Sequence, residues 1–299
     1  MPSTKDLKKR IGSVVNTRQT TKAMKMVSAA KLRRAQDAIT SNRPFAKQVG
    51  TLVEEMLGVP EITLNSPLLD RDGTTATAEG KRLLLLVVTS DRGLCGGFNA
   101  MPIKTAIRFM RDEGKNYAEV KMAFLGKRGY DFFRSRKQYQ VAEYFEQYGG
   151  KVTFKKAGDL SKSLVAGFIG GQYEEVKIIY NEFKNAVQQT PVVEHYLPLR
   201  PKPSTGEIPA TGMVIVKPNA DEVLASLLQK HFSIQIFRIM LESQAGEHGA
   251  RMSAMENATK NASEMIKKLT IQYNKQRQAG ITKELLEIIA GSESAKAQA

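Results

Sequence analysis

Residues 83–99 read LLLLVVTSDRGLCGGFN. Six aliphatic residues in a row, with no polar alternation, predict a strand buried on both faces, as in a parallel sheet covered by helices. The run then breaks into polar residues and a glycine cluster before a helical pattern begins. A buried strand, a glycine turn and a helix start together form the usual setting for a phosphate cradle, because bare N–H groups at a helix start attract anions. This stretch therefore decides both the fold class and whether the chain reads as a nucleotide-dependent enzyme.

The spacing argues against the enzyme. Gly93, Gly96 and Gly97 give GxxGG, neither GxGxxG nor the GxxxxGK followed by Ser or Thr of a P-loop. The next apolar run, VKMAFLG at 120–126, lacks the acidic residue expected at its end. A structural turn follows, with glycine supplying positive φ and close strand–helix approach. Cys95 has no neighbouring His to make it a nucleophile. His195, His231 and His248 stand far apart, and none has a second metal ligand three or four residues on. No catalytic constellation, metal site or cofactor site is expected.

Outward from the turn, strand-like runs at 83–89, 120–126 and 176–180 alternate with helical stretches at 102–113, 127–134 and 160–172. Such alternation predicts an α/β domain over 81–200 with a mostly parallel, Rossmann-like sheet. Residues 58–80 read as a linker. Six prolines between Pro191 and Pro218 predict an irregular connection, placed at 201–219.

The two ends have a different texture. Leu7, Ile11, Val14, Thr21, Met24, Ser28, Leu32, Ala35 and Ile39 recur at helical spacing, predicting a helix with one narrow apolar stripe in an N-terminal segment of 1–57. After Pro218 the seam Ile234, Phe237, Leu241, Ala245, His248, Met252, Met255, Ala258, Ala262, Met265, Leu269, Tyr273 repeats every three or four residues, close to a coiled-coil period. A helix over 220–291, before a short tail at 292–299, would run roughly 105 Å at about 1.5 Å per residue. A compact chain of this size has a radius of gyration of roughly 19 Å, so the helix is expected to protrude. Its expected cover is the N-terminal helix, in an antiparallel coiled coil.

Charge is as uneven as texture. Residues 1–50 hold twelve Lys and Arg against Asp6 and Asp37, whereas 220–290 hold nine basic and eight acidic residues. The N-terminal excess points to an acidic partner. TKAMKMVSAAKLRRAQ, residues 21–36, mixes those cations with flexible Met side chains, and 273–291 gathers Arg277, Gln278, Thr282 and Glu284 within about two helical turns. A basic coiled-coil nucleic-acid binder is the alternative, but Phe45 is the only aromatic in the N-terminal helix available for stacking on bases. A single cysteine excludes an internal disulfide and fits a reducing compartment. No apolar run is long enough to span a bilayer.

Three stretches, LKKRIGSVVNTRQTTKAMKMVSAAKLRRAQ (7–36), SDRGLCGGFN (90–99) and YNKQRQAGITKELLEIIAG (273–291), together resemble the gamma subunits of F-type ATP synthases, the rotor shafts of the catalytic head. The resemblance spans essentially the whole chain. It implies a non-catalytic central stalk turning inside a ring of alpha and beta subunits to couple proton or sodium flow to ATP synthesis or hydrolysis. An epsilon subunit and a membrane ring of c subunits are the other implied partners, and no nucleic acid is among them. Contacts with the acidic lever segments of beta are implied for Lys22, Met24, Lys25, Arg33, Arg34 and Cys95. Upper-shaft contacts are implied for Arg251, Arg277, Gln278, Thr282, Glu284 and Glu287. Because the match starts within the first residues, the basic N-terminus is expected to be mature structure rather than a transit peptide. A bacterial protein held peripherally at the cytoplasmic face of the inner membrane is expected.

Overall fold

The computed structural model describes residues 3–57, 66–70, 80–146, 152–186, 188–200 and 220–297. They form two compact units: one is Ser28–Arg251, and the other joins the chain ends, up to Val27 and from Met252.

The larger unit is built on β1 (Arg82–Val88), whose residues from Leu83 onward are all buried. In parallel with β1 run β2 (Glu119–Leu125) on one side and β4 (Glu175–Phe183) on the other. Beyond β2 lies β3 (Gln140–Phe145), also parallel, and beyond β4 the antiparallel β5 (Gln189–Leu197), giving the order β3-β2-β1-β4-β5. Alternate residues of β1 serve opposite faces. Leu83, Leu85 and Val87 pack with α2 (Ala100–Asp112) and α3 (Lys127–Arg134) through Ile103, Phe109 and Phe133. Leu84, Leu86 and Val88 pack with α4 (Phe154–Ile169) and with the two terminal helices, α1 (Thr4–Leu57) and α5 (Ala220–Ala297). From α1 come Val53 and Met56, and from α5 come Leu224, Leu228 and Phe232. The result is a mixed α/β fold whose mostly parallel sheet is covered on both sides.

In the unit formed by the chain ends, the two helices pack on each other. Thr21 Oγ1 and Thr259 Oγ1 lie 2.8 Å apart, and Lys25 Nζ donates to Glu256 Oε1 at 2.8 Å. Residue numbers rise on α1 as they fall on α5, so the pair is antiparallel. Leu7, Thr21, Met255 and Ala262 are buried along the stripe, but Met265, which the period assigns to the seam, is exposed.

Some boundaries differ from the sequence reading. Residues 189–197 are a strand, not the beginning of an irregular connection. Pro191 lies on the outermost strand, where a missing N–H breaks no ladder on the open side. β3 has no counterpart among the expected strands, because an edge strand with exposed polar residues carries a weak apolar signal. α4 starts earlier than expected, where the Thr153 hydroxyl caps it by accepting from the Lys156 N–H. α5 continues past the expected end at 291 to Ala297. The connection at 201–219 lies outside the described residues, as does most of the linker. The described part of the linker, at Leu69, bridges to Leu199.

Candidate functional site

The switch point of this sheet, where the strand order reverses, lies between β1 and β4, the place where doubly wound folds bind nucleotides. The glycine turn sits there, held by hydrogen bonds from its own chain. Ser90 N–H donates to Asn99 Oδ1 at 2.9 Å, and Asn99 Nδ2 donates to Cys95 Sγ at 3.2 Å. The first N–H groups of α3 are also taken, Lys127 by Asp91 Oδ1 at 3.0 Å and Arg128 by the Ser90 carbonyl at 3.1 Å. Phe98 is buried under the turn, its carbonyl accepting from Asn181 Nδ2 at 2.8 Å, and its ring lies against α5 at Gly246. The Ser90 N–H and the first two N–H groups of α3 are thus engaged within the chain.

Positive φ at Leu94 and Gly96 turns the backbone so that Leu94 points out, 64% exposed, while Cys95 points in at 2%. Burial pushes the Cys95 thiol up, which leaves it protonated and unreactive. Cys95 therefore cannot offer its side chain to a partner; the turn exposes the side chains of Leu94 and Arg92 and the backbone of Gly96 and Gly97. Arg251 belongs to this turn, since its Nη2 donates to the Gly93 carbonyl at 3.2 Å and to Glu247 Oε1 at 2.7 Å. Burial raises the Glu247 carboxyl, and the Arg251 guanidinium opposes that rise.

The basic stretch 21–36 divides between the units. In the unit of the chain ends, Lys22 is exposed, Met24 half-buried and Lys25 paired with Glu256. In the larger unit, Arg33 and Arg34 are exposed on either side of the buried Leu32 and Ala35. Met26 (65% exposed) and Val27 also face solvent. Met26 is one of the flexible Met side chains noted in the sequence, whereas Val27 was passed over, although both lie off the Thr21–Met24–Ser28 stripe and so point away from the seam.

Arg277, Gln278, Thr282, Glu284 and Glu287 fall on one continuous part of α5 in which every residue from 277 to 290 is exposed. Ile281, Leu285, Leu286, Ile288 and Ile289 are exposed among them. At about 100° per residue these aliphatics share roughly one half of the helix, a broad apolar face uncovered within its own unit, and such faces mark interaction surfaces. Arg251, grouped with these residues by resemblance, is placed by the structure with the glycine turn instead.

Fold and site together define a mixed α/β chain whose terminal helices pair, whose glycine turn is held by its own hydrogen bonds, and whose α5 ends in an exposed, aliphatic-rich stretch. A family model described as ATP synthase matches residues 3–295. The ATP synthase gamma chain of Geotalea uraniireducens is 45% identical over 296 residues, covering 99% of this chain and all of the relative. That of Bdellovibrio bacteriovorus is 39% identical over 303 residues, with the same coverage. Among solved structures, a chain of the Euglena gracilis mitochondrial ATP synthase aligns with a TM-score of 0.67 at 20% identity, over 98% of this chain and 95% of that one. A central-stalk chain from the Tetrahymena thermophila mitochondrial ATP synthase aligns with a TM-score of 0.62 at 24% identity, over 80% and 99%. The chain belongs to the ATP synthase gamma-chain family, which forms the non-catalytic central stalk of that complex.

Proposed function

We propose that the chain works as the rotating shaft of an F-type ATP synthase, with the paired ends of α1 and α5 enclosed by a ring of alpha and beta subunits. The observation that carries this reading is the 277–290 stretch of α5, exposed on all sides and rich in aliphatics beside Arg277, Gln278, Glu284 and Glu287. A sleeve of other subunits would bury that surface, and Thr282 with the charged groups would set its register against the sleeve.

The acidic levers of beta are proposed to meet Lys22, Met24, Lys25, Arg33 and Arg34, with Met26, Val27 and Leu94 supplying apolar contact. At the glycine turn the contact passes from Cys95 to Leu94. An asymmetric helix pair presents a different face to each beta subunit, so its angle biases each site toward a different conformation. Every contact shifts such an equilibrium only by its differential free energy between states, and torque is the sum of many modest terms. The epsilon subunit and the c ring complete the proposed assembly. No described helix is long and apolar enough to cross a membrane, so the proposed attachment to the cytoplasmic face runs through those partners.

Native affinity purification of the tagged chain after nuclease treatment tests the assembly. Two larger partners of similar size that hydrolyse ATP are expected to copurify. Recovery of the chain alone, or with nucleic acid, would overturn the reading.

A further inference from the structure

Within the larger unit, one face of α5 is fixed to the sheet by unusually directional contacts. Residues 238, 242, 246 and 249 recur at steps of four, four and three, and so share a face. Arg238 spreads its guanidinium over three elements. Its Nη2 pairs with Glu194 on β5, and its Nη1 donates to the Tyr180 hydroxyl on β4 at 3.0 Å and to Glu242 Oε1 on α5 at 3.3 Å. Nε donates to Gln235 Oε1 at 3.0 Å. Tyr180 itself donates to Glu194 Oε2 at 2.7 Å, closing the network. Burial alone would lower the Arg238 pKa, but Glu194 and Tyr180 outweigh it and hold the guanidinium firmly charged.

The next two positions are glycines with no room for a side chain. A Cβ at Gly246 would stand 3.0 Å from the Phe98 ring, and one at Gly249 would stand 2.8 Å from the Ala186 carbonyl oxygen in the β4–β5 turn.

Apolar burial resists separation of two surfaces but is non-directional, so it offers little resistance to turning about the helix axis. A forked, charge-assisted network and a backbone-to-backbone interlock do resist turning, because each acts in one geometry only. We propose that the 238–249 face of α5 is a torsional lock between the shaft helix and the sheet, with Arg238 as its principal positioning residue. The lock rests on the rotor reading: torque exchanged between the helices and the sheet passes through this face.

The test uses the assembled complex, held by its outer subunits, with a bead on the exposed side of α2. The angular spread of the bead at a stalled position measures torsional stiffness. Arg238→Met is expected to broaden that spread and to lower ATP-driven ion pumping, while unloaded ATP hydrolysis stays near that of the unmodified complex. Glu194→Gln preserves shape and is expected to broaden the spread less. The double variant adds little to Arg238→Met, since both remove one shared interaction. Arg238→Lys, a point charge without the planar fork, restores only part of the stiffness. A purely structural role would lower the melting temperature yet leave the spread of assembled rotors unchanged. Unchanged spread and pumping in both Arg238→Met and Glu194→Gln overturn the lock. A bead that fails to rotate in the unmodified complex overturns the rotor reading instead, so the two failures are distinguishable.

Discussion

Two stretches of the same helix live under different rules. From Leu224 to Ala245, α5 buries Leu228, Phe232, Ile236, Ile239 and Leu241, several of them almost completely. Among the described residues from Met252 onward only Met255 and Ala262 are buried apolar residues, and beyond Gln276 everything as far as Ala290 is exposed. The three-to-four-residue period continues through both. Periodicity thus reports that a helix has a face, whereas the size of the residues on that face reports how much cover the chain itself provides.

The sharpest way to break this contrast is a pair of truncations. Phe232→Ala opens a cavity against Tyr196 in a fully buried site and is expected to cost about 3–5 kcal/mol, read from denaturant unfolding of the full chain. Leu286→Ala is expected to leave the same unfolding curve unmoved while reducing recovery of partner subunits. Equal losses of stability for both would mean that the exposed stretch is covered by its own chain after all.

Next come the glycines. Gly249→Ala forces a Cβ toward the Ala186 carbonyl and is expected to destabilise the chain by about 1–3 kcal/mol. At Gly280 a Cβ meets nothing within 4 Å, so Gly280→Ala is expected to stabilise the helix by about 0.5–1 kcal/mol through propensity alone. Thermal melts followed by circular dichroism compare the two, and destabilisation at Gly280 would contradict the openness of that stretch.

His248 gives the contrast a pH axis. Burial, then the positive charges of Arg251 and Lys31, push its pKa down to about 4, and its Nδ1 is buried without a hydrogen-bond partner. The unfolded chain then binds a proton more readily than the folded one between the ordinary histidine pKa and about 4, so stability falls on acidification through that window. The expected slope is at most about 1.4 kcal/mol per pH unit, and His248→Gln should flatten it. An unchanged slope in that variant would assign the acid sensitivity elsewhere.

Much of this was legible in the residues. The unalternating run at 83–88 gave the doubly covered strand, and the stripe from Leu7 to Ile39 gave the face of α1. What stayed hidden depended on edges and on neighbours remote in sequence. β5 was masked by Pro191, which signals a break unless the strand is known to lie at an edge. Cys95 entered as a contact through the family resemblance; its burial accompanies the positive φ at Leu94, which turns that side chain outward instead. Arg251 was grouped with the final exposed residues by resemblance, and only the fold brings it to Gly93. The Arg238 network joins residues from β4, β5 and α5 that no local pattern connects.

The smallest effect is expected at Lys25. Its pair with Glu256 has both side chains roughly two-fifths exposed, and the hydrogen bond from Lys25, aided by its charge, holds the Glu256 carboxyl below the usual carboxylate range. A carboxylate depressed in this way favours the folded state above its ordinary pKa and loses that contribution as pH falls through the folded value. Exposure and salt screening keep the contribution slight, so Lys25→Ala at neutral pH and about 0.15 M salt should leave the melt unchanged. If Lys25 also meets an acidic lever of beta, the same substitution should weaken the assembled complex more at low salt than at high salt. A melt that drops by several degrees would reverse the assignment. The ends of the chain would then be held together by that ion pair more than by their apolar stripe, and a thin seam of Ala and Met would no longer suffice to explain why these helices pair.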